Sequence, residues 1–211
     1  VNHVLPAWDL ICGQTAAIGI LAADRRRILH GEGAHMSLAL SDVALVAVSA
    51  LGHVAEAQIN GTERQRFGND LYGAYGTTFT CADGTSIYAV GISPKQWSGL
   101  LEATDATIAI ASLEADLGSN FGDEGERFLH REAVTARIAP WIAEHTIDQV
   151  AQRFDAHGVC WGRYQTFTEL VESDPRCSTE SELFRDVEQP GIGTYLTPGS
   201  PVAFGGMLPV E

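Results

Sequence analysis

The run from Leu10 to about Leu29 most narrows what this chain can become: Ala16, Ala17, Gly19, Ala22 and Ala23 are interleaved with Ile18, Ile20 and Leu21. Small residues at that density make a helix whose backbone can lie very close to a neighbour. The helix is expected to end on Arg25-Arg26-Arg27, with Gly31 as its C-cap. Asp9 sits at its start. A carboxylate there meets the positive end of the helix macrodipole and unpaired backbone N–H groups, which favour a negative charge. An Asp at a helix start ordinarily serves as a cap, and position alone favours that use over nucleophilic chemistry.

Beyond this helix, His35 to Leu40 alternates weakly and is expected to be a short strand, after which Ser41-Asp42 caps a second helix. That helix is apolar on most faces through Val43, Leu45, Val46, Val48, Leu51 and Val54, so burial is expected, with a stop near Asn60-Gly61. The polar stretch Thr62-Glu63-Arg64-Gln65-Arg66 marks a boundary between residues 1–62 of a larger α/β domain and a smaller α/β domain over 63–187. The smaller domain opens on Phe67-Gly68-Asn69-Asp70-Leu71-Tyr72-Gly73-Ala74-Tyr75-Gly76, a glycine- and aromatic-rich loop that comes close to something. Strands follow at Thr77 to Cys81 and Ser86 to Gly91, joined by a hairpin turn at Ala82-Asp83-Gly84-Thr85.

Ser93-Pro94 is expected to start a helix carrying Trp97, Leu100 and Leu101. Two amphipathic helices cover Glu124 to His145 and Ile147 to His157. A strand is expected at Val159 to Tyr164, and a short helix at Phe167 to Glu172 that stops at Asp174-Pro175. From Glu188 to Glu211, Gly and Pro recur every few residues, which reads as an extended linker. The whole is a mixed α/β chain.

Acidic residues outnumber basic ones 27 to 13, and Lys95 is the only lysine. Nucleic acid is a poor partner for such a chain, because neutralising phosphates requires clustered Lys and Arg. Cys12, Cys81, Cys160 and Cys177 are widely spaced, and the seven histidines match no ligand motif, so neither a disulfide framework nor a metal site is expected. The longest apolar run, Val43 to Leu51, is too short to cross a bilayer, and a soluble cytoplasmic protein is the default.

The segments Trp8-Asp9-x-x-x-Gly13, Ala17-Ile18-Gly19-Ile20-Leu21-Ala22-Ala23, Arg25-Arg26-Arg27, Gly31-Glu32-Gly33 and Ser37 to Ala44 together resemble the family III CoA-transferases. The likeness extends through Gly61 to Tyr75 and Val187 to Leu196, essentially the whole chain. The resemblance implies a Rossmann-like large domain followed by a smaller domain. It also makes Asp9 the covalent nucleophile. An acyl-CoA is then the substrate, with CoA as part of it and no permanently bound cofactor. The specific likeness implies a branched C5-dicarboxylic acyl-CoA in which CoA moves from C1 to C4 of one molecule.

The family's interlocked homodimers imply the same for a full-length protein. The likeness further implies that this chain is a fragment lacking an N-terminal half and a C-terminal tail. His3, Trp8, Tyr72, Gly73, Tyr75 and Gly76 are candidates for substrate binding, and the N–H groups of Gly73 and Gly76 are candidates for an oxyanion hole, although shaping a turn is an equal use for them. Ser93 stands where related racemases carry a glutamate, and a serine cannot deprotonate a thioester α-carbon, which weakens a racemase reading. Two readings stay open beside the intramolecular one: transfer between two different acids, and acyl-CoA binding without turnover.

Overall fold

The computed structural model describes residues 5–202, and the chain divides into two compact units, 1–66 and 67–211. In the first, α1 spans Ala7–His30, α2 Leu40–Ala50 and α3 His53–Asn60. The α1 helix ends as its sequence predicts: Gly31 takes a left-handed φ of 72° and its N–H bonds to the Arg27 carbonyl at 2.9 Å. Gly19 lets Met36 lie directly on the helix backbone, since a Cβ there would overlap the Met36 sulfur. Three expectations fail here. Residues 35–39 are irregular rather than a strand, for no strand partner exists among the described residues of this unit. Ser41 and Asp42 do not cap α2; Ala39 is its N-cap, and the Ser41 hydroxyl turns to the Asp42 carboxylate instead.

The third failure concerns the apolar second helix, which is two helices broken at Gly52, whose φ is 84°. It is also largely uncovered. Leu45 and Val46 are 61% and 69% exposed, and Val43 alone is buried among the described residues of this unit. No single described helix is long and apolar enough to cross a membrane; α2 and α3 pass that test only together, with a 60° bend.

The second unit is built on a three-stranded antiparallel sheet in the order β1-β2-β3, with β1 at Tyr75–Thr80, β2 at Ser86–Gly91 and β3 at Cys160–Arg163. Alternation sorts the faces: Tyr75, Phe79, Ile87 and Ala89 are buried, while Thr78, Tyr88, Val90 and Cys160 take the other face. The helices α4 (Pro94–Ala103), α5 (Thr107–Leu117), α7 (Arg131–Ala143) and α8 (Ile147–Ala156) share one core with the sheet's buried side chains, while the short α6 (Glu124–Leu129) contributes the buried Arg127. Leu100, Phe121, Val134, Ile138, Ile142, Val150 and Phe154 are all fully buried in it.

Local chemistry sets the ends of these elements. Ser93 and Gln96 form a reciprocal capping box at the start of α4, with Pro94 in the first turn. Asp83, in the β1–β2 turn, accepts the N–H of Ile147 at 2.8 Å and so ties that turn to the start of α8. The Ile147 and Thr85 N–H groups hold the Asp83 carboxyl below its usual pKa. The expected helix over Glu124 to His145 is broken at His130 into α6 and α7, and α5 has no counterpart in the sequence reading. Neither feature carries a strong local signal. The α5 segment is apolar without clear periodicity, and His130 is neither Gly nor Pro.

After α9 (Phe167–Ser173) and a 3₁₀ turn at Pro175–Cys177, the first part of the expected extended linker is instead taken up by a β-hairpin, β4 (Phe184–Gln189) with β5 (Gly193–Pro198), and the end of that linker, 203–211, lies outside the described residues. Pro190-Gly191 explains it. Gly191 takes φ 83° behind the proline, and the Ile192 N–H closes on the Gln189 carbonyl at 3.0 Å, so Pro190 and Gly191, read as linker residues, form a tight turn.

Candidate active site

Asp9 lies in the first turn of α1, three residues after the N-cap Pro6, and is solvent-exposed. It is not the cap. Its backbone is already inside the helix, and Pro6 makes no side-chain cap bond. The carboxylate therefore stands at the positive end of a 24-residue helix without being spent on a local turn. Trp8, 38% exposed, precedes it. His3 lies outside the described residues. At the far end of α1, Arg26 pairs with Glu32 at 2.6 Å and Arg27 with Asp24 at 2.7 Å, which commits two of the three clustered arginines to neighbouring carboxylates.

In the second unit the glycine-aromatic loop makes a reverse turn at Leu71–Ala74. The Leu71 N–H bonds to the Gly76 carbonyl at 2.8 Å, and Gly73 takes φ 78° at the exposed tip. Its N–H makes no hydrogen bond among the described residues. That leaves a backbone donor that the fold's own hydrogen bonds do not use, and an unused donor is one requirement of an oxyanion site. Gly76 has a different task. A Cβ there would lie 2.7 Å from Val90 Cγ1 and 3.1 Å from Leu71 Cβ, so glycine is what lets β1, β2 and the loop close together.

Tyr72 is half exposed, as a pocket wall would be, but Tyr75 is not. The Tyr75 ring is 1% exposed, packs edge-on against Trp97 and shares a 2.9 Å hydrogen bond with Thr135; burial raises its phenol pKa. The expectation that its side chain lines an open site is corrected: alternation in β1 sends it into the core.

Two features had no sequence signal. Tyr88, Val90, Cys160, Gly162 and Tyr164 line a groove of about 240 Å³ on the outer sheet face, where burial and the neighbouring Tyr164 raise the Tyr88 pKa. The other is Arg131, which reaches Asp70 across 61 positions of sequence. Neither follows from spacing, because both depend on which strands and helices become neighbours.

The sequence profile of CoA-transferase family III matches residues 1–209. The chain belongs to CoA-transferase family III. This family III chain is 47% identical to the 2-methylfumaryl-CoA isomerase of Chloroflexus aurantiacus, over 100% of its own length and 52% of that protein. It is 28% identical to the succinyl-CoA:mesaconate CoA-transferase of Haloarcula hispanica, covering 95% of the chain and 48% of that relative. It thus spans about half the length of the curated relatives it matches.

The crystal structure of Rv3272 from M. tuberculosis superposes with a TM-score of 0.69 at 22% identity, over 99% of this chain and 52% of that one. A CAIB/BAIF family protein from Brucella suis gives 0.63 at 18% identity, over 98% and 50%. These likenesses establish a shared α/β fold.

Proposed function

We propose that the full-length protein is an intramolecular CoA-transferase that converts 2-methylfumaryl-CoA into its C4-linked isomer through an aspartyl-CoA thioester on Asp9. The 47% identity to the 2-methylfumaryl-CoA isomerase, which covers the whole of this chain, carries this reading. The exposed Asp9 at the head of α1 supports it.

The Asp9 carboxylate attacks the C1 thioester carbonyl, and collapse of the tetrahedral intermediate expels CoA thiolate and leaves a mixed anhydride. The thiolate attacks the aspartyl carbonyl, giving aspartyl-CoA and releasing the free diacid. The diacid's C4 carboxylate then attacks aspartyl-CoA, thiolate leaves again, and its attack on the new C4 acyl group restores Asp9. Each step carries charge on a former carbonyl oxygen, and the free Gly73 N–H is the donor this reading assigns to one of them. Trp8 and Tyr72 are assigned to apolar contact with the methyl-bearing diacid, and His3 to a polar contact with it. Holding the diacid between half-reactions replaces a bimolecular encounter with a positioned one.

The test supplies C1-linked 2-methylfumaryl-CoA, with no added acid, to the full-length protein and follows the isomers by chromatography. The C4-linked isomer is expected with wild type and absent with Asp9→Asn. The 28% identity to a succinyl-CoA:mesaconate CoA-transferase favours one second reading, transfer between two acids. Conversion that begins only when a second carboxylic acid is added would establish it. An Asn variant with undiminished function would instead leave acyl-CoA binding without covalent chemistry.

A further inference from the structure

The turn that presents Gly73 is fastened at its base by one guanidinium. Arg131, the first residue of α7, donates from Nε to Asp70 Oδ2 at 3.0 Å and from Nη1 to the Phe128 carbonyl at 3.0 Å. Its guanidinium carbon also lies 5.2 Å from the Phe67 ring centre and 4.9 Å from that of Phe128. The second Asp70 oxygen accepts the Thr77 hydroxyl at 2.8 Å. Phe67 and Asp70 precede the turn and Thr77 follows it, so both of its limbs are gripped by the same ion pair. Tyr72, at the turn itself, closes the cluster with ring centres 5.6 Å from Phe67 and 5.2 Å from Phe128.

We propose that Arg131 is a positioning residue for CoA transfer: through Asp70 and the Phe67 and Phe128 rings it holds the Tyr72–Gly76 segment so that the Gly73 N–H keeps one direction. The inference rests on the assignment of that segment to the acyl site. A loop tip with an exposed glycine moves freely unless its base is tied down, and an oxyanion donor is effective only when it is aimed before charge develops. The pair is suited to the task. Arg131 and Asp70 side chains are 23% and 28% exposed, so solvent screens them less than a surface pair. The planar guanidinium faces two rings while bonding a carboxylate and a carbonyl, which the point charge of a lysine cannot reproduce.

The experiment uses the full-length protein with Arg131→Gln, Arg131→Lys, Asp70→Asn and the Asp70→Asn/Arg131→Gln pair. Each is measured for kcat, KM and amide hydrogen exchange in residues 71–76, with α8 as an internal reference for the global fold. In Arg131→Gln, exchange over 71–76 is expected to quicken by about tenfold or more while α8 keeps its protection, and kcat to fall with little change in KM. Arg131→Lys recovers part of the loss, Asp70→Asn repeats it, and the double variant is no worse than either single change. Unchanged exchange over 71–76 in both Arg131→Lys and Asp70→Asn would overturn the positioning role, even if Arg131→Gln fails to fold. Faster exchange with wild-type kcat would overturn the assignment of the segment to the acyl site and with it the catalytic part of the proposal.

Discussion

Gly76→Ala tests the packing of the second unit most directly. The added methyl would sit 2.7 Å from Val90 Cγ1, 3.1 Å from Leu71 Cβ and 3.3 Å from the Tyr88 hydroxyl oxygen. Carbon atoms prefer separations of about 3.5–4.0 Å, so the overlap with Val90 approaches an ångström. Val90 cannot turn aside easily, because a β-branched side chain on a strand has little freedom at χ1. Overpacking of this kind costs about 1–3 kcal/mol. The alanine recovers about 0.4–1 kcal/mol by restricting the unfolded chain, since Gly76 does not occupy the left-handed region. A net loss of about 1–2 kcal/mol follows.

Urea unfolding, read through near-ultraviolet dichroism of Trp97 and Trp161, measures it. Adding Val90→Ala removes the clashing carbon, so the double variant is expected to be more stable than the sum of the single effects by about 1 kcal/mol or more. Strict additivity, or a Gly76→Ala protein as stable as wild type, would refute the claim that Gly76 is required by close packing.

Asp9→Asn is expected to abolish transfer in the full-length protein while leaving its melting temperature essentially unchanged, because the residue is exposed and caps nothing. With heavy oxygen in the substrate's free carboxylate, the anhydride steps place one labelled oxygen on Asp9, so a label-free Asp9 peptide by mass spectrometry would refute the covalent route. Arg127 is fully buried, donates to the carbonyls of Phe121 and Ile92 at 2.6 Å each and to that of Gly122 at 3.3 Å, and lies 5.2 Å from the Trp97 ring centre. Arg127→Lys keeps the charge but leaves at least one carbonyl unpaired, a loss of about 1–3 kcal/mol in denaturant unfolding; an unaltered midpoint would contradict it.

Asp174 is buried and accepts the Arg176 guanidinium and the Arg176 N–H, which hold its pKa well below the usual carboxylate range. Its stabilisation is thus complete above an unfolded-state pKa of about 4 and declines as pH falls below it. Unfolding midpoints of Asp174→Asn and wild type should converge between pH 4 and lower values, as measured by urea titration across that range, and a gap that widens with acid would reverse the sign.

Much of the local structure was legible from residue chemistry, because the groups that decide it are neighbours in sequence. The small-residue helix with its Gly31 cap, the β1–β2 hairpin, the Ser93-Pro94 helix start and the stop at Asp174-Pro175 all depend on bonds closed within a few residues. The position of Asp9 at a helix start was legible for the same reason. Membership of CoA-transferase family III supports the nucleophilic role proposed for it, which position alone left open. The hairpin at residues 184–198 was misread although Pro190-Gly191 marked the turn, since recurring glycine and proline signal a linker and a tight turn alike until flanking strands pair.

What only the tertiary structure decided was where side chains point and which distant groups meet. Tyr75 and Tyr72 are three residues apart and look alike in sequence, yet strand alternation buries one and the turn exposes the other. Arg131 joins the Asp70 carboxylate, which also accepts the nearby Thr77 hydroxyl, only because α7 and β1 pack together. Gly76 is a packing glycine rather than a conformational one, a distinction set by Val90 on the adjacent strand. Sequence fixes each residue's chemistry and its local periodicity, whereas the pairing of surfaces depends on the free energy of the whole packed unit, which no short window of residues contains.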